Sequence, residues 1–280
     1  MNYILYNPLS STGKGEESIK KIKKIMKKKD DEFESLNIIE VSKDIESFTS
    51  KLNEEDQIII VGGDGTLHYF ANSIRNITKT NRLFLYKGGT GNDFGREFKK
   101  KKLIEITEYV RNLPVCKINN KHEFVFLNCS GFGFDGAVCA GVNENNGKKS
   151  GFAYIKNVLS LLKNSPRYDL ELEVDGVKKK YEKVLFTEIC NGKYFGGGMK
   201  LSPTSDRKDD VLELYLVYKM KFAKILCVFP FIFLGKHMWF KRWGIERLQG
   251  KHFHLKASFE QPFQSDGEVI LGVDEIEVTR

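Results

Sequence analysis

Short apolar runs alternate with amphipathic segments through the first part of the chain. Strand-like runs of Ile, Leu, Val, Tyr and Phe occur at residues 3–6, 38–41, 58–61 and 83–86. Between them, residues 16–29 and 44–52 carry apolar side chains at the three- and four-residue spacing of a helix. Strands that alternate with helices through short turns predict a mainly parallel sheet with helices on its faces.

After residue 116 the pattern changes to strands joined by hairpin-like turns. Strands are predicted at 116–118, 123–129, 170–174, 183–190, 211–218, 253–259 and 276–279, and helices at 151–162 and 222–239. The Asp175–Gly176 pair is the clearest hairpin turn. The pattern therefore predicts two domains, an α/β domain at residues 1–116 and an antiparallel, β-rich domain of the β-sandwich type at 117–280.

Two of the predicted strands run directly into glycine-rich turns. Gly-Gly-Asp-Gly-Thr at residues 62–66 follows one strand, and Gly-Gly-Thr-Gly-Asn-Asp at 88–93 follows the next. A glycine-rich turn before a helix N-terminus suits a phosphate, and Asp64 beside it suits a bridging metal cation. Neither turn has the spacing of a P-loop or of the dinucleotide fingerprint. A tight strand-to-helix turn without a ligand is the simpler alternative at this point.

The charge balance is basic, since the 280 residues carry a formal net charge of +8. This points to a phosphorylated ligand or an anionic surface, although the lysine runs at 20–29 and 99–102 are typical of solvated helix faces. No aromatic-interleaved basic stripe is present, so we expect no nucleic-acid partner. Five scattered cysteines indicate a reduced, cytoplasmic protein, and no apolar run reaches the roughly 18 residues of a membrane span.

The ordered motifs, from the two glycine turns to Asp-Gly-Glu at residues 266–268, resemble the diacylglycerol kinase catalytic-domain family. Within that family they are most similar to the bacterial soluble lipid kinases, which are diacylglycerol or sphingosine kinase-like. The resemblance implies a first domain like those of phosphofructokinases and NAD kinases, followed by a lipid-substrate domain. It implies an ATP-dependent kinase that transfers the γ-phosphoryl group to the hydroxyl of a diacylglycerol-like lipid, with the nucleotide in the interdomain cleft.

Other readings of the same motifs stay open. The acceptor is alternatively a sphingoid or another long-chain alcohol, or the chain is a catalytically weak lipid-binding or regulatory protein of the same fold. Two departures from the family pattern favour the weak-activity alternative: Tyr69 stands where the family commonly has glutamate, and Val211 stands where it commonly has glycine. An NAD-kinase-like activity is less expected, because the second glycine motif and the Asp-Gly-Glu segment fit lipid kinases better.

The roles of individual residues follow from the resemblance alone. It implies nucleotide binding by Asn7, Pro8, Ser10, Ser11, Gly62, Gly63, Asp64, Gly65, Thr66, Leu67, Gly89, Thr90, Gly91 and Asn92. It makes Glu268 and Asp64 the catalytic carboxylates. Phosphoryl transfer needs mainly positioning and charge neutralisation, and a carboxylate near the acceptor hydroxyl can orient it and take its proton.

The resemblance also implies Mg²⁺ as a cofactor beside ATP. It places a metal ion at the side chain of Asp210 and at the backbone carbonyl groups of Arg207 and Leu212. Asp93 and Asp135 each follow a glycine-rich turn and are expected as further site carboxylates.

The most apolar stretch of the chain is residues 222–243, and its uninterrupted apolar core, residues 225–234, is too short to span a bilayer. Lysines bracket it, and Trp239 and Trp243 stand at one end, which suits the headgroup region of an anionic membrane. We therefore expect a lipid substrate and a peripheral contact with an anionic membrane. A helix packed into the core of the second domain is the alternative, and a homodimer stays open.

Overall fold

The computed structural model describes most of the chain as two compact units. The described residues are 1–8, 15–26, 32–78, 81–88, 92–98, 101–144, 158 and 160–280. The first unit is Met1–Leu113 and the second is Pro114–Arg280. The second unit begins at Pro114 rather than at residue 117, because strand Val115–Ile118 pairs with the last strand of the chain.

The first unit is built on a mainly parallel sheet. Its strands are β1 (Asn2–Tyr6), β2 (Phe33–Asn37), β3 (Gln57–Gly62), β4 (Arg82–Lys87) and β5 (Leu103–Glu105). Among the described residues they lie in the order β2-β1-β3-β4-β5, with only the β4–β5 pair antiparallel. β1 and β3 lie inside the sheet and their isoleucines, such as Ile4 and Ile59, are fully buried, as expected for strands covered on both faces.

Helices connect these strands. They are α1 (Gly15–Met26), α2 (Ile38–Lys43), α3 (Ile45–Ser50), α4 (Asp64–Ile74), α5 (Asp93–Arg96) and α6 (Thr107–Arg111). The alternation of strands and helices confirms the predicted α/β class of the first domain. The apolar face of α1 packs through Ile22 on the sheet residues Ile4 and Ile59.

The prediction of a strand at residues 38–41 is wrong. This segment is the helix α2, and the strand that pairs with β1 lies just before it at Phe33–Asn37. The side chain of Asn37 accepts the backbone N–H of Ile39 at 3.0 Å and so caps the helix. A short apolar run has no periodicity that distinguishes a strand from a helix. Here the capping hydrogen bond of Asn37 favours the helix.

The second unit is an antiparallel, β-rich domain. Its strands are β6 (Val115–Ile118), β7 (His122–Val125), β8 (Cys129–Gly133), β9 (Tyr168–Val174), β10 (Val177–Cys190), β11 (Leu212–Tyr218), β12 (Ile245–Gly250), β13 (His252–Ser265) and β14 (Glu268–Thr279). All pairs between them are antiparallel. The predicted class is confirmed, but the strand predicted at 123–129 is two strands, and β12 was not predicted.

Helices of the second unit are α7 (Phe134–Glu144), α8 (Phe222–Phe233) and a 3₁₀ helix at His237–Trp243. The helix predicted at 151–162 falls largely outside the described residues, although 160–164 are helical. The helix predicted at 222–239 ends at Phe233 and continues after a break as the 3₁₀ helix. No helix in the described part of the chain is long and apolar enough to cross a membrane.

Candidate functional site

The first glycine turn joins β3 to α4. β3 ends at Gly62, Gly63 is the N-cap residue, and α4 begins at Asp64. A Cβ atom on Gly62 would lie 2.5 Å from the Cβ of Thr66, so only glycine lets the helix start so close to the strand. In the described part of the chain, no atom lies within 4 Å of a Cβ placed on Gly65, which leaves open space beside the helix N-terminus. This geometry suits an anionic group.

The side chain of Asp64 joins the first glycine turn to the second. Its carboxylate accepts the backbone N–H of Asp93 at 2.7 Å and that of Phe94 at 3.0 Å. The backbone N–H of Gly88 also donates to the carbonyl of Gly62 at 2.9 Å. The two turns are therefore one hydrogen-bonded unit, and Asp64 has a structural role that the motif alone did not reveal.

The predicted residues of the second turn are only partly described. Ser10, Ser11, Gly89, Thr90 and Gly91 lie outside the described residues. Asn92 has a positive φ of 48°, the left-handed conformation that asparagine tolerates at a turn. Asp93 is buried and accepts from Nε of Arg96 at 3.1 Å, so its carboxylate is an internal anchor.

Lys87 is a candidate that the sequence reasoning missed. It is the last residue of β4 and pairs in register with Gly62. Its position at the carboxyl end of a parallel strand places it where such sheets bind ligands. Burial lowers the pKa of this lysine. A basic residue directly before the glycines at 88–91 was the signal available in the sequence.

In the second unit, the Asp-Gly-Glu segment forms the turn between β13 and β14. Asp266 and Gly267 both have positive φ, of 49° and 93°. The carboxylate of Asp266 accepts the backbone N–H groups of Leu127 at 2.6 Å and Asn128 at 2.7 Å. Glu268 opens β14 and is exposed. The hydrogen bonds of Asp266 thus fix the turn, and the side chain of Glu268 beside it is exposed to solvent.

The metal loop implied by the resemblance is held by an arginine. Nη2 of Arg280 donates to the carbonyl of Arg207 at 2.6 Å, and its Nε donates to the carbonyl of Asp209 at 2.9 Å. Nη1 donates to Oδ1 of Asn191 at 2.7 Å. The pKa of Arg280 is lowered, mainly by burial. The guanidinium therefore supplies positive charge to carbonyl groups of this loop.

Two of the predicted ligands, Arg207 and Asp210, have other partners in the structure. The Arg207 carbonyl already accepts from Arg280, and the Asp210 side chain is 76% exposed with Nζ of Lys251 at 3.5 Å. Among the described residues, no group of three or more His, Cys, Asp or Glu side chains could hold a metal ion. Of the three predicted ligand groups, the Arg207 carbonyl is thus already hydrogen-bonded to a guanidinium, and the metal site stays a prediction.

An apolar cavity of about 270 Å³ lies inside the second unit. It is walled mainly by aliphatic and aromatic side chains, including Val138, Leu162, Leu185, Val217, Val228 and Ile245. Asp135, in the first turn of α7, is part of its lining. A mainly apolar cavity with few polar groups is typical of a site for a ligand with an apolar body and a polar head.

Asp135 is half-buried and forms a carboxyl pair with a fully buried glutamate. Its partner Glu188, in β10, is fully buried and accepts from Nε2 of Gln264 at 2.8 Å. Burial raises the pKa of Asp135 to about 7, although its hydrogen bond with Glu188 acts in the opposite direction. Burial, and then the charge of Asp135, raise the pKa of Glu188 well above its usual range. Two such carboxyls hold at least one proton between them at neutral pH.

Comparison with known proteins agrees with both units. Residues 2–119 match the family of the diacylglycerol kinase catalytic domain, and residues 129–276 match the YegS C-terminal NAD kinase beta sandwich-like domain. The chain is 26% identical to a diacylglycerol kinase of Staphylococcus carnosus over 80% of this chain and 74% of that protein. It is 25% identical to the Mycobacterium tuberculosis diacylglycerol kinase over 65% of this chain and 62% of that one.

The fold matches the crystal structure of a diacylglycerol kinase from Bacillus anthracis str. Sterne with a TM-score of 0.67. That match covers 100% of this chain and 93% of the other at 19% identity, which shows a shared fold. Fold and family matches together define a two-domain protein of the lipid kinase class. The chain belongs to the diacylglycerol kinase catalytic-domain family and carries the YegS-type second domain, as the motifs predicted.

Proposed function

We propose that this chain is an ATP-dependent lipid kinase that transfers the γ-phosphoryl group of ATP to the hydroxyl of a diacylglycerol-like lipid. The observation that carries the proposal is the apolar cavity of the second unit with the carboxyl group of Asp135 in its wall. Acyl chains fit such a wall, because apolar surface gains free energy when it leaves water. The polar head of the lipid would lie towards the carboxyl pair.

The nucleotide phosphates would lie at the first glycine turn, where Gly65 leaves room and the N-terminus of α4 provides positive potential. Lys87 would add a positive charge. Mg²⁺ would be held here by Asp64, because a carboxylate beside a phosphate site is a usual link to this ion, directly or through metal-bound water. Bound Mg²⁺ would neutralise charge on the phosphates. The expectation that the nucleotide lies between the two domains belongs to this proposal.

Glu268 would act as the general base. Its carboxylate is exposed at the start of β14, and the turn that carries it is fixed by the hydrogen bonds of Asp266. A carboxylate in this position can accept the proton of the lipid hydroxyl while the oxygen attacks the γ-phosphorus. The reaction releases ADP and a phosphorylated lipid.

The proposal is tested by phosphate transfer from γ-labelled ATP to matched lipids. The panel contains a diacylglycerol, a sphingoid base and a plain long-chain alcohol, and Glu268→Gln is the inactive control. We expect transfer to the diacylglycerol. Transfer only to the sphingoid base or to the long-chain alcohol would favour that alternative acceptor. No transfer to any lipid, with measurable ATP binding, would favour the weak lipid-binding protein, which the exposed Tyr69 in place of a family glutamate also favours.

We further propose that α8 and the 3₁₀ helix attach the protein peripherally to an anionic membrane from the cytoplasmic side. Large apolar side chains are exposed there: Leu226, Phe229, Phe233, Leu234 and Trp239. Between residues 219 and 245 the sequence has six lysines and arginines and no acidic residue. Leu226, Phe229 and Phe233 also line the cavity and therefore mark its opening. Attachment here would place that opening against the source of the lipid.

A further inference from the structure

His237 is a buried histidine whose ring nitrogens have no hydrogen-bond partner in the described part of the chain. It opens the 3₁₀ helix, its residue is 3% exposed, and it is part of the cavity lining. Nearly all buried polar side chains in folded proteins are hydrogen-bonded, since an unmade bond costs the full loss of solvation. Two such atoms on one ring therefore need an explanation.

Neighbouring groups among the described residues do not supply the missing bonds. The ring packs against Tyr215, with centroids 5.5 Å apart and planes at 59°. The hydroxyl of Tyr215 donates to Oε2 of Glu213 at 2.8 Å, so it is already used. Other lining residues near the 3₁₀ helix and α8, such as Ile232 and Met199, are apolar. His237 is itself one of the residues that line the cavity.

The ring is neutral under physiological conditions, because burial lowers the pKa of His237 to about 4. A neutral imidazole has one N–H donor and one acceptor nitrogen. Together with the carboxyl of Asp135 it gives the apolar cavity two polar points on separate elements. Binding sites use a few such groups to fix the orientation of an otherwise apolar ligand.

We infer that His237 donates a hydrogen bond to an ester carbonyl of the bound lipid and thereby selects acyl-ester lipids over alkyl lipids with the same hydroxyl. This rests on the proposed function of the cavity as the lipid site. An ester carbonyl accepts but does not donate, and it lies beside the acyl chains, where an N–H in an apolar wall meets it. An ether lipid lacks this carbonyl and offers the N–H only an ether oxygen, which is a weaker acceptor in a different position.

A matched pair of substrates tests the role without changing the reacting group. A 1,2-diacylglycerol and the corresponding 1,2-dialkylglycerol share hydroxyl and chain length and differ in the carbonyl oxygens. We expect wild type to prefer the diacyl lipid roughly tenfold in kcat/KM, as for one hydrogen bond, mainly through KM. His237→Phe should abolish the preference by raising KM for the diacyl lipid only. The exposed His252, changed to Gln, is the control and should keep the preference.

Nitrogen-15 NMR of the histidine side chains gives a readout that does not depend on catalysis. We expect the His237 ring signals, assigned by their absence in His237→Phe, to shift with the diacyl lipid and not with the dialkyl lipid. His237→Gln and His237→Asn each place an amide N–H near the position of one ring nitrogen. We expect one of these two variants to keep the preference for the diacyl lipid. This test remains possible if His237→Phe does not fold. Equal shifts or equal KM for both lipids would overturn the inference and indicate bound water only. Failure of phosphate transfer with the NMR result intact would sink the kinase proposal alone.

Discussion

The carboxylate of Asp64 accepts the backbone N–H of Asp93 at 2.7 Å and so ties two glycine turns of the first unit together. We predict that Asp64→Asn lowers turnover by roughly 10²-fold or more, since it loses both the negative charge expected to hold Mg²⁺ and one acceptor for these N–H groups. It should also lower the free energy of unfolding by about 1–3 kcal/mol. Denaturant unfolding and kinase assays measure the two effects.

A control separates the structural role of Asp64 from its chemical role. Asp93→Asn removes the charge that Arg96 contacts and keeps the backbone N–H that Asp64 accepts. We expect it to change stability without a comparable loss of turnover. If Asp64→Asn is as active as wild type, Asp64 is a purely structural residue.

Much of the fold could be predicted because hydrophobic periodicity and turn residues are local signals. The glycine turns are readable in the sequence, since Gly62 must be glycine for steric reasons that act within five residues. The strand misplaced at 38–41 shows the limit, because a four-residue apolar run carries no period and the cap from Asn37 decides. The break between β7 and β8 depends on Asp266, which is distant in sequence.

The parts of the site that could not be predicted are made by contacts between distant residues. In the sequence, Glu188 is a single acidic residue within a mainly apolar strand, and nothing marks it as part of a site. Only the fold brings it beside Asp135 and Gln264. Arg280 ends the sequence as an ordinary charge, yet its guanidinium holds the loop around Arg207. No local pattern encodes such pairs, so the motifs could not predict that an arginine bonds to the carbonyl groups of this loop.

The two acidic residues of the Asp-Gly-Glu turn, Asp266 and Glu268, should differ in their effects on stability and turnover. We predict that Glu268→Gln lowers turnover roughly 10²-fold or more and leaves stability unchanged, because the side chain is exposed and the proposed base is lost. Asp266→Asn should instead lower the free energy of unfolding by about 1–3 kcal/mol, since Asp266 accepts N–H groups of Leu127 and Asn128. Near-normal turnover of Glu268→Gln in steady-state assays would remove Glu268 as the base.

The carboxyl of Asp135 predicts a pH dependence of stability. Its pKa is raised by burial from 3.8 to about 7 in the folded protein. Between these values the unfolded chain has released the proton and the folded chain keeps it, so the free energy of unfolding falls as pH rises. Relative to Asp135→Asn, wild type should therefore lose stability from pH 4.5 to 7.5. Urea unfolding at both values measures this, with the exposed Glu260→Gln as control. A difference that is constant or grows with pH would contradict it.

We predict that the loop around Arg207 is stable without a metal ion, because Arg280 already bonds to two of its carbonyl groups. Arg280→Met should lower the free energy of unfolding by about 1–3 kcal/mol, because two carbonyls and Asn191 lose a charged donor. Arg280→Lys should recover only part, since an ammonium lacks the planar fork. The exposed Arg242→Met is the control. Thermal unfolding of nucleotide-free wild type should be the same with Mg²⁺ and with EDTA. A metal-dependent melting temperature that Asp210→Asn abolishes would restore the metal loop.

The sequence left open whether residues 222–243 pack in the core or dock on a membrane. The two tryptophans of this stretch differ in how far their side chains are exposed. Trp239 is 69% exposed, whereas Trp243 packs against the cluster that contains Val228 and Ile245. Nζ of Lys224 also lies 5.2 Å from the ring centroid of Trp243. We therefore expect Trp243→Ala to lower stability, as loss of a packed aromatic ring does, and Trp239→Ala to leave stability unchanged.

Membrane attachment should follow the exposed side chains rather than the packed ones. We predict that Trp239→Ala and Leu234→Ser each weaken co-sedimentation with anionic vesicles, because both side chains would insert into the headgroup region. Lys241→Glu/Arg242→Glu should weaken it further and reduce its salt dependence, since each basic residue contributes about 1 kcal/mol near an anionic surface. Leu271→Ser changes a leucine that is 71% exposed on β14 and is the matched control. If it lowers vesicle binding as much as Leu234→Ser does, or if the charge variant binds like wild type, α8 and the 3₁₀ helix are not the docking surface.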